Sequence, residues 1–289
     1  MSGQPNIELR EFLRSRRGRV TPAAAGLPLR PGARRVPGLR REEVAQLAGV
    51  STDYYIRLER GRAANVSESV LEAVARTLQL NELERTHLMT LAKPSRKRPH
   101  PLPRQQVRPG LRRLVDSITD VPALVLGRRL DVLAANPLAR ALFTDFDALP
   151  PHSRNMVRLV FLHDHVRSLC EDWPATAHGI VANLRLYAGR NRHDPALAEL
   201  VGELSVKDPD FRRWWAEHDV DQHTYGASNC QNGLVGDLNL GFEAFSPADD
   251  PEQTLWVSTV QPGSVSEERL KLLASWAQPA AVEALSCDR

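Results

Sequence analysis

The segment Gly38–Gly61, GLRREEVAQLAGVSTDYYIRLERG, constrains this chain more than any other stretch. Val44, Leu47 and Ala48 recur at helical spacing, which predicts a helix from Arg41 to Ala48 with one apolar face. Gly49 follows, and glycine turns the chain at positive φ without a Cβ clash. Ser51 or Thr52 then caps a second helix, whose Tyr55 and Leu58 point inward. Ala45, four positions before Gly49, is small where two such helices cross closely. The pattern reads as a helix-turn-helix; a plain helical hairpin would not need this register.

Charge supports that reading. Up to Arg113 the chain carries 23 Lys and Arg against 10 Asp and Glu; beyond it, 15 against 25. The net charge of +3 therefore hides a basic first part on an acidic second part. Such a local positive field suits phosphate neutralisation with counterion release. The 289 residues suggest two domains, at ~150 residues each. No run approaches the ~18 consecutive apolar residues of a membrane span, and Met1–Pro5 opens no secretory signal. Cys170, Cys230 and Cys287 are few, odd in number and far apart. That argues against a disulfide framework or a zinc site and fits a reducing cytoplasm.

Further helices are expected from Asn6 to Arg17, from a Ser67 cap to Leu78, and after an Asn81 cap with Leu83, His87, Leu88 and Leu91 inward. Together these make an all-α, five-helix helix-turn-helix domain over residues 1–93. The loop before the motif offers Arg30, Arg34 and Arg35 to a phosphate or a minor groove. Residues 94–109, basic and rich in proline, read as a linker. Residues 110–289 read as an α+β body. It holds a helix at 111–118, a hairpin around Gly127, and a helix opened by Asn136 as cap with Pro137 in its first turn. Helices follow at 154–170, 174–191, 194–204 and 208–218. A strand over 234–243 should face Leu234, Leu238, Leu240 and Phe242 inward and pair with 254–260, before a last helix at 266–276. A small antiparallel sheet covered on one face by helices is the expected assembly.

Val36–Arg62 resembles the DNA-binding domain of XRE-type regulators, especially those with an MmyB-like ligand-binding domain. Similar stretches in the second half are Arg108-Pro-Gly-Leu-Arg-Arg-Leu114, Val132-Leu-Ala-Ala-Asn-Pro137, Asp194-Pro-Ala-Leu197, Phe211–Val220 and Val235-Gly-Asp-Leu238. The resemblance implies a PAS-like second domain, ligand-responsive regulation and a fatty-acid-like ligand. That family carries a His-Pro pair beside the late strand; this chain has Asn232-Gly233 there.

With Tyr55 and Leu58 inward, the second motif helix offers Ser51, Thr52, Tyr54 and Arg57 to base edges in a major groove. Arg57 suits a bidentate pair with guanine, and Thr52 a thymine methyl or a phosphate; Ser51 is first of all a cap. Arg40, Arg41, Arg60 and Arg62 sit at helix ends and suit phosphates, which position without reading sequence. One such helix reads few base pairs, so a homodimer on a palindromic double-stranded operator is expected. In the body, Phe211, Trp214, Trp215 and His218 form a helical stripe that packs a core or walls a pocket. Arg185 with Tyr187 would anchor a carboxylate, although a structural ion pair is the commoner use of such an arginine. The candidate ligand set is Arg185, Tyr187, Trp214 and His218. His163 and His165 lie two apart, which on a helix separates them. No phosphate loop, nucleophile elbow or metalloprotease motif is present, so no enzyme, cofactor or metal is expected. The reading is a cytoplasmic transcription regulator that senses a small, largely apolar molecule. The competing reading gives the body a protein partner and no small ligand.

Overall fold

A computed structural model of the chain describes residues 5–28, 37–63, 65–93, 103, 105–222 and 224–277. Arg30, Arg34, Arg35 and most of the 94–109 linker lie outside these residues. Two compact units emerge. Unit 1 comprises residues 1–101, 181–200 and 212–222; unit 2 comprises residues 102–180, 201–211 and 223–289. No helix among the described residues is long and apolar enough to cross a membrane.

The five expected helices of the first part are α1 Ile7–Arg19, α2 Arg41–Ala48, α3 Thr52–Glu59, α4 Glu68–Thr77 and α5 Glu82–Ala92. Asn6 caps α1 by accepting from the Leu9 N–H at 3.2 Å, and Asn81 caps α5 in a reciprocal box with Glu84. Ser67 holds the N-cap position of α4 without the capping bond to a backbone N–H; its hydroxyl meets Ser69 Oγ at 3.1 Å instead. The turn after α2 has Gly49 in the left-handed region at φ 69°, as the motif requires. Val44, Ala45, Tyr55 and Leu58 are buried in one core with Phe12, Leu13, Leu88 and Leu91. Leu47 departs from expectation and is 40% exposed. The buried arc of α2 is centred between Val44 and Ala45, and at 100° per residue Leu47 lies outside it.

Unit 1 also takes in parts of three later helices: α10 Trp173–Arg190, α11 Pro195–Lys207 and α12 Pro209–Glu217. Leu186 and Val220 enter the same core as Phe12 and Tyr55. Two buried arginines fasten them. The Arg185 guanidinium donates to Glu8 Oε2 at 2.8 Å and to the Trp215 carbonyl, and lies 3.5 Å from the Trp215 ring centroid. Arg16 donates to the His218 carbonyl at 2.7 Å and pairs with Glu84 and Asp219. Two histidines are buried among these cations. Desolvation first, and the charges of Arg185 and Arg16 second, lower His87 and His218 to about 3.

Unit 2 is built on a five-stranded sheet in the order β2-β1-β5-β4-β3. Its strands are β1 Ala123–Leu126, β2 Val132–Ala135, β3 Tyr225–Asn232, β4 Gly236–Phe245 and β5 Thr254–Thr259. Every neighbouring pair is antiparallel. On one face Leu238, Leu240 and Cys230 meet Leu138 and Leu142 of α7 (Pro137–Leu142), Leu169 of α9 (Asp164–Leu169), and Leu270 and Leu273 of α13 (Val265–Ala277). Helices do not stop at that face. Val115 of α6 (Pro109–Ser117) packs on Val125, Ala134 and Leu255 from the other side, so β1 is buried on both faces. The single helix expected at 154–170 is two, α8 Met156–Leu162 and α9, broken at His163. Leu234 is not inward: it sits in the β3–β4 turn and is 70% exposed. Asn232 shapes that turn by accepting from the Leu234 and Val235 amides at 3.0 and 3.2 Å.

Asn136 does more than cap. Its oxygen accepts from Ala139 N–H at 2.8 Å and Ala123 N–H at 3.0 Å, while its amide donates to the Ile118 and Val121 carbonyls, each at 2.7 Å. Asn136→Ala removes the cap and strands buried backbone groups, so it should cost about 3 kcal/mol in urea unfolding, and a loss below about 1 kcal/mol would contradict this role.

The histidines give a second expectation. A folded value of about 3 against an ordinary 6.5 means that the unfolded chain binds more protons between those values. Stability is therefore full above pH 6.5 and falls as pH drops below it, by roughly 1.4 kcal/mol per pH unit for each histidine. Urea midpoints of the full chain from pH 7 to pH 5 should show this slope, and His87→Gln should reduce it by about half.

Candidate nucleic-acid interface and ligand-binding body

The outward face of α3 is set by what its inward face must do. Tyr55 and Leu58 are fully buried, which turns Thr52, Asp53 and Arg57 to solvent. Ser51 Oγ accepts from the Tyr54 N–H at 3.2 Å, the cap geometry, and the residue stays exposed. Tyr54 is half-buried, and the Arg57 guanidinium stands 5.7 Å from its ring centroid. The ring thus flanks the arginine on the exposed side of α3.

Glu59 is the residue that sequence reasoning missed. It is 1% exposed at the end of α3, where it accepts from Arg17 Nε at 2.6 Å and pairs with Arg41 Nε. Arg17 in turn donates to the Leu39 carbonyl at 2.8 Å. One buried carboxylate therefore joins α1, the start of α2 and α3. The signal was a Glu one position after an inward Leu, on the buried arc of α3. Arg41, expected on a phosphate, keeps about half of its side chain exposed while paired with Glu59.

The other basic residues stand at the rim. Arg40 is exposed, 3.5 Å from Glu42, and its backbone N–H donates to Glu43 Oε2 at 2.7 Å. Arg57, Arg60 and Arg62 are exposed and form no ion pair among the described residues. Arg57 stands in the last turn of α3, Arg60 at its C-cap and Arg62 just beyond it, so this positive charge lies at the end of the helix opposite the Ser51 cap.

The body candidates all fall in unit 1. Arg185 is 2% exposed and engaged with Glu8 and Trp215, and His218 Nδ1 approaches the same Glu8 at 3.9 Å. Tyr187 donates its hydroxyl to Asp194 Oδ2 at 2.7 Å. Trp214 is buried, with the Arg213 guanidinium 5.3 Å from its ring. The geometry brings Arg185 and His218 together around one carboxylate; Tyr187 has a separate partner.

A cleft in unit 2 is made by other residues. It lies along β2, between Arg112, Arg140 and Arg154, with Phe146 and Asp147, and holds about 70 Å³. Arg140 and Arg154 approach Asp147 at 3.2 and 3.6 Å, and Arg154 also donates to the Asp147 and Leu149 carbonyls. Three arginines and one aspartate line the cleft, a surplus of positive charge beside the apolar residues of β2. Small-molecule sites usually enclose ~300 Å³ or more, so this cleft fits a polar head group and not a whole ligand.

Two family descriptions match the chain. Residues 8–88 match a helix-turn-helix domain, and residues 107–273 match the MmyB-like transcription regulator ligand binding domain. No curated protein matched it. Both descriptions are of regulators, not enzymes. The matches divide the sequence near residue 100, whereas the compact units interleave residues 181–200 and 212–222 with the first part. The second match alone covers more than half of the chain, and the chain belongs to the MmyB-like transcription regulators: a DNA-binding helix-turn-helix joined to a ligand-binding domain.

Proposed function

We propose that this regulator is cytoplasmic and reads specific sequences in double-stranded DNA as a homodimer on a palindromic operator, under control of a small, largely apolar molecule. The observation that carries the DNA reading is the outward face of α3, with Thr52 and Tyr54 in the first turn behind the Ser51 cap and Arg57 exposed in the last turn. In this reading Arg57 pairs with guanine, and Arg40, Arg41, Arg60 and Arg62 take phosphates. Residues 1–93 read DNA, 94–109 link, and 110–289 sense.

The arginine cleft on β2 supports a ligand with an anionic end. Arg185, Tyr187, Trp214 and His218 then act on ligand response through the packing of unit 1. Binding would alter the arrangement of two DNA-reading heads, driven by its differential affinity for two states. The small volume of the cleft favours a second reading, in which the body binds a protein partner and no small ligand.

Two measurements test this. In gel shifts against fragments of the native genome, Arg57→Ala should relax sequence preference, with about 1–3 kcal/mol of discrimination lost. Arg60→Ala should weaken all fragments alike and lower the salt slope by about one; equal effects of the two variants contradict the role assignment. Mass spectrometry of the purified chain should reveal a copurifying amphiphile. A chain that carries none and binds none from a lipid extract favours the partner-binding body.

A further inference from the structure

Two thiols that lie 60 positions apart in sequence face each other in unit 2. Cys170 closes α9 and Cys230 lies in β3, and their backbones form an isolated antiparallel bridge. The Glu171 N–H donates to the Asn229 carbonyl at 3.1 Å. That bond joins the residues flanking the cysteines, which makes Cys170 and Cys230 a non-hydrogen-bonded pair. In such a pair the facing Cα atoms are ~4.5 Å apart and both side chains leave the ladder on the same side. A disulfide needs Cα atoms about 4.4–6.8 Å apart with converging Cβ vectors, so the backbone already has the required form. A second bond, from the Asn229 amide to Glu171 Oε2 at 2.7 Å, holds the two segments in this register.

We propose that Cys170 and Cys230 are a reversible dithiol–disulfide pair that, when oxidised, fastens the junction of α9 and α10 to the sheet. Both are free thiols in this structure. Cys170 is half-buried and is the accessible member; Cys230 is 8% exposed and sits in the core with Leu238 and Leu240. The oxidant is a low-molecular-weight disulfide. The Cys170 thiolate attacks one of its sulfurs, a mixed disulfide forms, and one small thiolate leaves. The Cys230 thiolate then attacks the Cys170 sulfur, the protein disulfide forms, and the second small thiolate leaves. Two protein thiols and one small disulfide become one protein disulfide and two small thiols, which carry the two protons. Burial pushes the Cys170 thiol up; burial and the neighbouring Cys170 push Cys230 up to about 11. Exchange therefore accelerates with rising pH.

The test uses the full chain with Cys287→Ser, incubated with oxidised glutathione at pH 8 and mapped by mass spectrometry without reduction. The expected product is a peptide pair cross-linked through 170 and 230, released by dithiothreitol. Closing a loop of ~60 residues should raise the melting temperature of the oxidised form by roughly 5–10 °C. With Cys230→Ala, Cys170 should stop at the glutathione adduct; with Cys170→Ala, Cys230 should remain a free thiol. Thiols that stay reduced, an adduct at Cys170 without cross-linking while Cys230 is present, or disulfides only between chains would each overturn the proposal.

Discussion

The fold of the DNA-reading unit depends on charges buried along α1. Glu8 holds Arg185, Arg16 holds Glu84 and Asp219, and Arg17 holds Glu59. Arg16 and Arg185 are each 2% exposed, so neither can return to water without unpacking its neighbours. A buried ion pair adds little net stability, since desolvation offsets most of the attraction. Breaking one is costly, because the remaining charge is left without a partner in a low dielectric. These pairs thus specify which segments belong together more than they strengthen the whole. Residues 181–200 and 212–222 are accordingly structural parts of the unit that carries the helix-turn-helix.

The same logic fixes the reading helix. Glu59 occupies a buried position on α3 that an apolar residue would fill in a plain bundle, and it is satisfied there by Arg17 and Arg41. Gly38 allows the chain to lie against the end of α1, where a Cβ would overlap the Arg17 carbonyl oxygen. Leu39 then bonds the same carbonyl through its N–H at 3.1 Å. The start of α2 and the end of α3 are both tied to α1, and the exposed arc of α3 is what remains. Arg57, Arg60 and Arg62 are exposed on or beside that arc and form no ion pair among the described residues.

Local features were legible in the sequence because local physics produces them. Gly49, Ser51, Tyr55 and Leu58 marked the turn, cap and inward positions of the motif, and Asn136-Pro137 and Asn81 marked helix starts where the side chains cap. Leu47 and Leu234 were misplaced for a common reason. Periodicity counts an apolar residue as buried, but burial follows the centre of the packed arc and the true end of a strand. Long-range partners left no trace. Nothing near Arg185 points to Glu8, and nothing near Cys170 points to Cys230; only the folded backbone brings them together. Helices on both faces of the sheet were likewise hidden, since α6 looks the same on either side of β1.

If the later segments complete the DNA-reading unit, their removal must loosen its helices. Hydrogen exchange of the α1 and α5 amides measures this most directly, in the full chain and in a chain cut after Pro101. Exchange should be about a hundredfold faster, or more, in the shortened chain, because Phe12, Arg16 and His87 lose the groups that bury them. Equal protection of both helices in the two chains would contradict it.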